Sequence, residues 1–499
     1  MSRYINTKDR DKKRKFDDMK NALRRLEAII EVGILTCMYM LFWNNYYRPF
    51  GMITYNGYGK YIIALIYLFL LLVIFSAFDS FKFGYLKLTD VIVSQCLGVI
   101  FVNFISYFQL SLLASFLLRL KPILILTVLE FLMILVCCYV YSMIYHNVYV
   151  SKNMAMVYGS GNALTLKFKM ETRPDKYKIE KLIPIEDGME AICREIVDYD
   201  AVIINDVTPQ IRNDLVKFCY ENEIRTYVVP KISDIILRGA DDITLFDTPL
   251  VLVRGRGLVF SERVAKRAFD IILSLVSMVV VIPVSVIVSI AILIEDGAPV
   301  FYKQERVTKD GKIFKILKFR SMVKDAEKGG HSIPATGKDP RITKVGRVIR
   351  ACRLDELPQI FNILKGDMSW VGPRPERVEH VEKYSKTIPE FKYRMKVKGG
   401  LTGYAQIYGK YDTSAYDKLR LDLMYIENYS FTLDLKILAM TIRVLFKPEA
   451  TEGFDKAREL EKKKEDLIKE EKKRREGDQE DKWENISEQT GSEERPERP

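Results

Sequence analysis

The sequence predicts a multidomain membrane protein that joins an α-helical transmembrane bundle, an α/β middle domain and a mixed α/β domain with a re-entrant membrane helix. Three observations predict this fold class: apolar stretches before residue 148, an alternation of strand-like and helix-like segments over 152–255, and a further apolar segment over 268–294. The 499 residues suffice for about three domains at roughly 150 residues each.

The charge of the chain is unevenly distributed. Lysine and arginine number 77 against 65 acidic residues, and residues 1–25 alone hold ten basic residues and four aspartates. The 27 glycines, 18 prolines and 7 cysteines exclude collagen-like, low-complexity and disulfide-scaffold classes. No aromatic–basic motif accompanies the positive charge, so we interpret it as a signal of membrane topology and expect no nucleic-acid partner.

Residues 26–148 predict a four-helix transmembrane domain, because a spanning helix needs about 20 apolar residues. Basic segments stay on the cytoplasmic side. We therefore expect the N-terminus (1–25) and the turn with Lys82 and Lys87 in the cytoplasm, and four crossings return the chain there near Ser151. The apolar stretches are Leu26–Trp43, Tyr61–Phe78, Val91–Leu118 and Pro122–Tyr145.

Three acidic residues lie inside these stretches: Glu27 and Glu31, near the inner end of the first span, and Glu130. Glu130 is about 12 Å into the fourth span at 1.5 Å per residue. An intramembrane acid is a candidate functional residue. The alternative is a neutral, hydrogen-bonded packing residue.

The middle domain (152–255) has the strand–helix rhythm of a parallel sheet. Gly159-Ser160-Gly161 begins a dinucleotide-binding fingerprint, but Leu164 takes the third glycine position. This favours a retained Rossmann-like fold that serves as a scaffold or interaction domain over one that binds a cofactor. The predicted elements are strands at Ala155–Tyr158, Ala201–Ile204 and Thr226–Val229, and a helix at Thr208–Asn222.

A fifth apolar segment, Ile271–Ile294, is long enough to cross a membrane but is basic on both sides. Pro283 lies at its middle, where a proline removes a helix hydrogen bond. We predict a helix–break–helix that enters the membrane and leaves on the same side, over 268–294. The alternative is a fifth span with a proline kink, which would export everything after Glu295.

Cationic residues recur at every third position before an acidic pair. Residues three apart share one face of a helix, so the cations form either a solvated face or a surface for anions. They end at Asp355 and Glu356, and Pro358 fits the first turn of a helix over Ile360–Leu364, which places Asp355 near the N-cap. The cationic residues are Lys338, Arg341, Lys344, Arg347, Arg350 and Arg353.

Asp355 and Glu356 point about 100° apart if they are helical, which argues against a symmetric acid/base pair. We predict instead that one is a nucleophile and the other binds metal or positions the site. A carboxylate that attacks a diphosphate needs cations to offset charge repulsion, and the neighbouring arginines and lysines supply them.

With these motifs the chain resembles the bacterial sugar transferases, the monotopic phosphoglycosyl transferases that act on polyprenyl phosphate. The four spans and the middle domain resemble the large, four-span subgroup. The resemblance rests on KRAFD (Lys266–Asp270), PVFYKQERV (Pro299–Val307), KFRSM (Lys318–Met322), RLDELPQ (Arg353–Gln359), NILKGDMSWVGPRP (Asn362–Pro375) and GGLTGYAQIYGK (Gly399–Lys410).

The resemblance implies an enzyme that transfers a hexose 1-phosphate, of glucose or galactose first, from a UDP-sugar to undecaprenyl phosphate and releases UMP. It implies that Asp355 is the nucleophile of a covalent phosphosugar intermediate and binds Mg²⁺, with Glu356 beside it. Lys318, Arg350 and Arg374 match phosphate-binding positions. The segment Pro373-Arg374-Pro375 matches one linked with the nucleotide, and Pro283 matches the break of the re-entrant helix.

The resemblance further implies a multi-pass protein of the bacterial inner membrane whose catalytic domain (260–448) faces the cytoplasm. It would carry out the first membrane step of capsular or exopolysaccharide synthesis. Membrane lipids, downstream glycosyltransferases and a second copy of the chain are further candidate partners. Because the match begins near Lys266, a fragment from about Phe260 to Leu445 is expected to be active alone.

The sequence departs from the family pattern at two positions. Gly399 replaces a usual proline, which is expected to loosen that turn, and Arg353 replaces a usual small hydroxyl residue. Residues 451–499 form a charged tail, dense in Glu and Lys, and predict a solvated helix followed by disorder.

Two other functions are open at this point. The first is a membrane-anchored nucleotide-sugar oxidoreductase or epimerase that works through the middle domain. Such enzymes use a Tyr-x-x-x-Lys pair on a helix, but Tyr177/Lys181 follows the glycine turn too closely and Tyr227/Lys231 lies in a strand-like run. The second is a non-enzymatic protein of polysaccharide export, against which the intact motifs argue.

Overall fold

The structure of the protein, a computed structural model, describes residues 7–47, 58–148, 151–159, 163–255, 257–324, 339–409 and 413–445. These residues divide into two compact units. One comprises 7–148 together with the described parts of 239–445, and the other comprises 151–238. The second unit thus ends at Arg238, before the boundary at 255 that the sequence suggested. The predicted tail, 451–499, lies outside the described residues.

Four long helices form the N-terminal bundle, and their apolar sequences explain why they pair. Their shared faces are buried, as at Leu35, Leu71 and Ile134, whereas Leu65 and Phe69 stay exposed, as expected of residues that face lipid. Each helix is long and apolar enough to cross a membrane, which confirms the predicted helical membrane region. The helices are α1 (Thr7–Phe42, followed by a π turn at Trp43–Tyr47), α2 (Gly59–Ala77), α3 (Leu88–Ala114) and α4 (Leu120–Val148).

Glu130 is fully buried in the bundle and joins three of its helices. Its Oε1 accepts a hydrogen bond from the Tyr67 hydroxyl (2.7 Å), and its Oε2 accepts one from Asn103 Nδ2 (2.6 Å). Asn103 also donates to Thr127 Oγ1 (2.9 Å), and Tyr39 stacks on Tyr67. Both carboxyl oxygens therefore have partners within the bundle, which favours the packing role over an ion path.

The second unit is a four-stranded parallel sheet in the order β2–β1–β3–β4, with its core on both faces. The predicted strands and helix are confirmed within a few residues. The sequence missed β2, whose charged residues interrupt its apolar pattern. The elements are β1 (Lys152–Tyr158), α5 (Ala163–Glu171), β2 (Tyr177–Pro184), α6 (Met189–Ile196), β3 (Ala201–Asn205), α7 (Pro209–Glu221), β4 (Arg225–Val228) and α8 (Ile232–Arg238).

Neither of the two Tyr-x-x-x-Lys pairs of this unit lies on a helix. Tyr177 and Lys181 both belong to β2, and Tyr227 belongs to β4 with Lys231 beyond its end. The oxidoreductase alternative needs such a pair on a helix, so the geometry removes its candidate residues. A Rossmann-like identity for this sheet stays a prediction.

Helix α9 (Phe260–Asp296) is the fifth helix long and apolar enough to cross a membrane. It runs without interruption and contains Pro283, so the predicted helix–break–helix is not present as two separate helices. A proline removes one N–H from the helix ladder, but the helical conformation continues through Pro283. Whether the chain re-enters or crosses the membrane stays a prediction.

The rest of the first unit is a mixed α/β domain around short sheets, which confirms the predicted class. Strands β5 and β6 form one antiparallel hairpin, β7 and β8 form another, and β9 pairs with β10 in parallel. The elements are β5 (Asp241–Leu245), β6 (Thr248–Leu252), β7 (Phe301–Val307), β8 (Ile313–Phe319), α10 (Lys344–Ala351), α11 (Gln359–Lys365), β9 (Ser369–Val371), α12 (Val378–Thr387), β10 (Gly400–Thr402), α13 (Tyr404–Tyr408), α14 (Ala415–Glu427) and α15 (Phe431–Leu445).

Candidate active site

Four elements bring the predicted site residues to one place. Lys318 is next to last in β8, and Arg350 is in the last turn of α10. Asp355 and Glu356 belong to a 3₁₀ turn at Leu354–Glu356, and Arg374 follows β9. Pro283 lies inside α9, outside these four elements.

The sequence suggested that the acidic pair lies at the start of the next helix. In the structure, the pair lies instead on a separate 3₁₀ turn. Helix α10 ends at Ala351 with Cys352 as its C-cap, and Arg353 has a left-handed backbone with φ of 53°. That conformation costs a residue with a side chain about 1 kcal/mol. It reverses the chain, so that Asp355 lies in the turn and Pro358, not Asp355, caps the short helix α11.

The predicted cationic stripe is only partly helical. Lys344, Arg347 and Arg350 lie on α10, but Arg341 precedes the helix and Arg353 has left the helical conformation. Thr343 caps α10 by accepting from the amide of Gly346, which fixes where the helix starts. The three-residue spacing therefore predicted a helix that extends beyond the actual ends of α10. Lys338 lies outside the described residues.

Glu356 is the electrostatic centre of the site. One oxygen, Oε1, accepts from Lys318 Nζ (2.9 Å) and from Arg374 Nη2 (2.7 Å). Burial raises the pKa of Glu356, but the charges of Arg374 and Lys318 outweigh it and hold this pKa well below the usual range. Burial lowers the pKa of Lys318 despite the attraction of Glu356. Glu356 is therefore committed to the two cations as a permanent anion.

Asp355 is in the opposite electrostatic position. Burial, and then the charge of Glu356, raise its pKa, and Lys318, Arg350 and Arg374 offset the rise only in part. The adjacent carboxylates thus differ: Glu356 is compensated by direct ion pairs, whereas Asp355 has a deficit of positive charge. A carboxylate with that deficit suits attack on a phosphorus atom or coordination of a cation.

The donor set also bears on magnesium. No group of three or more His, Cys, Asp or Glu side chains that could hold a metal occurs among the described residues. Mg²⁺ does not need one, because it is commonly bound through one or two carboxylates, with waters and substrate phosphates. The under-compensated Asp355 carboxylate fits that use, and Glu356 is occupied by its cations.

The turn rests on the membrane-candidate helix. Leu354 and Leu357, on either side of the acidic pair, pack in a cluster with Val288 and Ile292 of α9 and with Phe319 of β8. Both leucines are at the boundary of this core, so their burial fixes the turn against α9. The acidic pair is thereby placed next to α9, which is long and apolar enough to cross a membrane.

Two arginines that we did not predict hold the segment around Arg374. Arg394 Nη2 donates to the carbonyl of Arg374 (2.9 Å), and Arg306 Nη1 donates to that of Pro375 (3.1 Å). Burial, and next the charge of Arg374, lower the pKa of Arg306 to about 10. Arg306 lies in a motif that the sequence analysis quoted and could have been found there. Arg394 lies in none.

Pro373 and Pro375 flank Arg374 in an arrangement that needs glycine opposite it. A Cβ at Gly399 would lie 2.5 Å from Pro375 Cγ. The amide of Gly399 donates to Thr308 Oγ1 (3.0 Å) and its carbonyl accepts from the amide of Ser369 (2.9 Å). The expected loosening at Gly399 is therefore not seen, because the backbone is tied on both sides and a proline could not donate.

The region that holds this site is similar in sequence to known proteins. Residues 261–448 match the family described as bacterial sugar transferase. The chain is 38% identical over 248 residues to a UDP-glucose:undecaprenyl-phosphate glucose-1-phosphate transferase of Klebsiella pneumoniae, a match that covers 49% of this chain and 51% of the relative. It is 40% identical over 181 residues to the uncharacterized sugar transferase EpsL of Bacillus subtilis (strain 168), covering 36% of this chain and 86% of that relative.

A third relative is the undecaprenyl-phosphate galactose phosphotransferase of Salmonella typhimurium, which is 34% identical over 236 residues, covering 44% of this chain and 49% of the relative. The matches thus span about half the length of the larger relatives, and most of the smaller one.

The ion pairs of Glu356 predict a pH-dependent loss of stability in Glu356→Gln. The variant leaves Lys318 and Arg374 unpaired, which should cost roughly 2 kcal/mol, less than for a fully buried pair because the Arg374 side chain is 39% exposed. A group whose pKa is depressed in the folded state stabilises the fold at pH values above its unfolded pKa. This stabilisation is lost as the pH falls through the folded pKa.

The difference in unfolding free energy between the metal-free wild type and this variant should therefore stay constant from pH 7 to about 5 and shrink only below the ordinary glutamate value of about 4.3. Glu382→Gln, at an exposed position of α12, is the matched control. A difference that already disappears between pH 7 and 5 would contradict the assigned pKa of Glu356.

Proposed function

The chain belongs to the bacterial sugar transferase family, and we propose that it transfers a hexose 1-phosphate from a UDP-sugar to undecaprenyl phosphate and releases UMP. The observation that carries this proposal is the pairing of an under-compensated Asp355 with a Glu356 that holds Lys318 and Arg374 beside it. This arrangement suits a carboxylate nucleophile facing a diphosphate. The names of the relatives supply the donor and the acceptor.

The first half-reaction opens the diphosphate. An Asp355 carboxylate oxygen attacks the phosphorus that bears the sugar, and the bond from that phosphorus to the bridging oxygen breaks. The bridging oxygen leaves with UMP, and the sugar phosphate stays on Asp355 as an acyl phosphate. Lys318 and Arg374 are fixed by Glu356 before substrate binds, so they can stabilise the charge that develops on the phosphate oxygens without reorganising.

The second half-reaction uses the same phosphorus. A phosphate oxygen of undecaprenyl phosphate attacks it, the bond to Asp355 breaks, and the carboxylate is regenerated. The products are the lipid-linked sugar diphosphate and free enzyme. A covalent intermediate divides the transfer into two steps. A water-soluble donor and a membrane-bound acceptor can therefore use one site in turn.

Magnesium is part of this proposal, with Asp355 as the residue that would hold it. When bound, Mg²⁺ would neutralise phosphate charge and polarise the phosphoryl group. Arg350 and Lys318 supplement that charge from α10 and β8. The segment Pro373-Arg374-Pro375 is proposed to contact the nucleotide, and Arg306 and Arg394 hold its backbone in place.

The contacts of α9 support a helix that enters and leaves the membrane on one side. Near its start, Arg267 donates to the carbonyls of Ile363 and Leu364 (2.6 Å each). At its end, Asp296 and Gly297 offer their carbonyls to Arg320 (3.0 and 2.6 Å). Both polar ends are thus bound by the same domain, whereas the middle is apolar and exposed, as at Val279 and Ile287.

The bundle contacts support placing the catalytic domain on the cytoplasmic face of the inner membrane. Arg24, near the basic N-terminus, lies over the ring of Tyr85 in the α2–α3 turn, at 5.0 Å. Arg443 of α15 reaches that same end of the bundle at Phe78. The catalytic domain and the predicted cytoplasmic turn therefore share one end, and Tyr47, bonded to the carbonyl of Arg119, marks the other.

Glucose and galactose are the proposed sugars, because relatives named for each match over comparable lengths. An N-acetylated hexose is next, as one relative is named for N-acetylgalactosamine. The proposed role is the first membrane step of capsular or exopolysaccharide repeat-unit synthesis. The product would then pass to glycosyltransferases that extend it.

The function is tested by release of UMP. Membranes that contain the chain, given undecaprenyl phosphate, Mg²⁺ and a panel of UDP-sugars, should release UMP from one or two donors. Asp355→Asn keeps the shape of the side chain but removes its charge and nucleophilicity, so turnover should fall by at least about a thousandfold. Chelation of the metal should also abolish turnover.

The matched control is Asp310→Asn, an exposed aspartate in a turn of the same domain, which should keep wild-type turnover. Normal UMP release by Asp355→Asn would contradict the assignment of the nucleophile. Absence of release from every UDP-sugar by the wild type would contradict the proposed reaction.

The placement of α9 is tested by labelling. Cysteines introduced as Arg263→Cys and Lys303→Cys flank the apolar segment, and both should be shielded from an impermeant thiol reagent added to intact cells. Leu117→Cys, at an exposed position between α3 and α4, should react and serves as the positive control. Reaction at position 303 but not at 263 would show that α9 crosses the membrane.

A further inference from the structure

We propose that the helix bundle is a working part of the transferase, because Lys436 and Arg443 fasten α15 to the α2–α3 turn and α15 in turn positions the segment that carries Arg374. In this view Lys436 and Arg443 are positioning residues. The inference rests on the proposed function, since it concerns how that reaction is supported.

Two cations of α15 bind the bundle. Arg443 is 3% exposed, and its Nη1 donates to the Phe78 carbonyl (3.4 Å) and to Ser94 Oγ (3.2 Å). Lys436 Nζ lies 2.7 Å from Asp79 Oδ1. Lys436 and Arg443 are seven residues apart, which is about two helical turns, so they lie on one face of α15.

The bundle is shaped to receive these cations. Asp79 lies two residues after the end of α2, its side chain is 3% exposed, and its other oxygen pairs with Lys82 (3.1 Å). Its backbone is left-handed, with φ of 57°, a conformation that costs a residue with a side chain about 1 kcal/mol. Ser94 donates its own proton to the Asp90 carbonyl (2.7 Å), which leaves its oxygen free to accept from Arg443.

Another set of α15 residues holds the catalytic domain. Thr441 Oγ1 is 2.6 Å from Thr402 Oγ1 in β10, and Met440 accepts from the Tyr408 hydroxyl (3.5 Å). Asp434 accepts from Tyr425 (2.8 Å) and pairs with Lys266 of α9 (2.6 Å). Helix α15 therefore touches the bundle, the membrane-candidate helix and the β9–β10 pair.

From Thr402 the connection to Arg374 is short. The Thr402 carbonyl accepts from the Gly372 amide (2.8 Å), and Gly400 donates to the carbonyl of Pro373 (2.9 Å). A Cβ at Gly400 would lie 2.1 Å from the Gly372 amide nitrogen, so these backbones are in direct contact. Arg374 directly follows Pro373 in the chain, and it donates to Glu356.

The tight packing of Gly372 against Gly400 couples the positions of their two backbones. Gly372 and Gly400 have no slack between them, so a shift of β10 moves the backbone that carries Arg374. Removing the Arg443 guanidinium would leave the buried Phe78 carbonyl and Ser94 hydroxyl without this donor, which is costly. Helix α15 would therefore move to find new partners, and Arg374 would move with it. A fragment without the bundle should accordingly be impaired, contrary to the expectation from the sequence.

The test compares full-length variants in the UMP assay. Arg443→Met keeps bulk but removes the donors, and Arg443→Lys keeps a charge that can still reach Ser94. Lys436→Ala, Asp79→Ala and the double variant form a thermodynamic cycle. Lys383→Ala, an exposed lysine of α12, is the control. Folding is checked by melting temperature, and KM for the UDP-sugar is determined separately from KM for undecaprenyl phosphate.

We expect Arg443→Met to lower kcat/KM for the UDP-sugar between about tenfold and a hundredfold, as remote misplacement of a catalytic group does. The KM for the lipid should stay unchanged, because Arg374 is proposed to act on the donor. Arg443→Lys should recover part of the loss. The Lys436→Ala/Asp79→Ala double variant should be no worse than the poorer single variant, since each single variant already removes the Lys436–Asp79 ion pair.

Wild-type donor kinetics in a folded Arg443→Met would overturn the inference. If that variant does not fold, the Lys436–Asp79 cycle decides, and additive or absent effects there would overturn it as well. Inactive wild-type protein would instead count against the proposed function. An equal fall in kcat/KM for the UDP-sugar and for undecaprenyl phosphate, without recovery in Arg443→Lys, would indicate that α15 has a merely structural role. That result would also overturn the inference.

Discussion

The sharing of one Glu356 oxygen between Lys318 and Arg374 is the interaction on which the site depends. It fixes two cations from different elements beside Asp355 before any substrate arrives, and it keeps Glu356 ionised. Asp355 is consequently the carboxylate with uncompensated charge. Two acids that are adjacent in sequence thus acquire different chemistry from their surroundings, which is the general way in which proteins separate the roles of like groups.

The surrounding fold can be understood as support for that interaction. The 3₁₀ turn is held by leucines that pack on α9, and Arg374 is held by the backbone contacts of Gly372 and Gly400. The first support leads to α9, which is long and apolar enough to cross a membrane. The second leads through β10 to α15, which contacts the helix bundle. Under the proposed reaction, a site that accepts a soluble donor and then a lipid acceptor would gain from being built on elements next to candidate membrane helices.

Sequence reasoning identified the parts that follow from periodicity and from motif. The apolar stretches predicted the bundle, and the β-rich runs predicted three of the four parallel strands. Asp355, Glu356, Lys318 and Arg374 were predicted from their motifs, and the structure brings these four residues together. It failed where one backbone angle decides the path: the left-handed Arg353 ends α10 and moves the acidic pair onto its own turn. It also missed Arg394, because a residue that acts through backbone carbonyls carries no local pattern.

The most direct test of the central claim is the mass of the intermediate. Purified wild-type chain, given UDP-sugar and Mg²⁺ without undecaprenyl phosphate, should gain one phosphosugar on a peptide that contains Asp355. Addition of the lipid should remove it. An adduct on another residue, or one that persists in Asp355→Asn, would contradict the division of roles between Asp355 and Glu356.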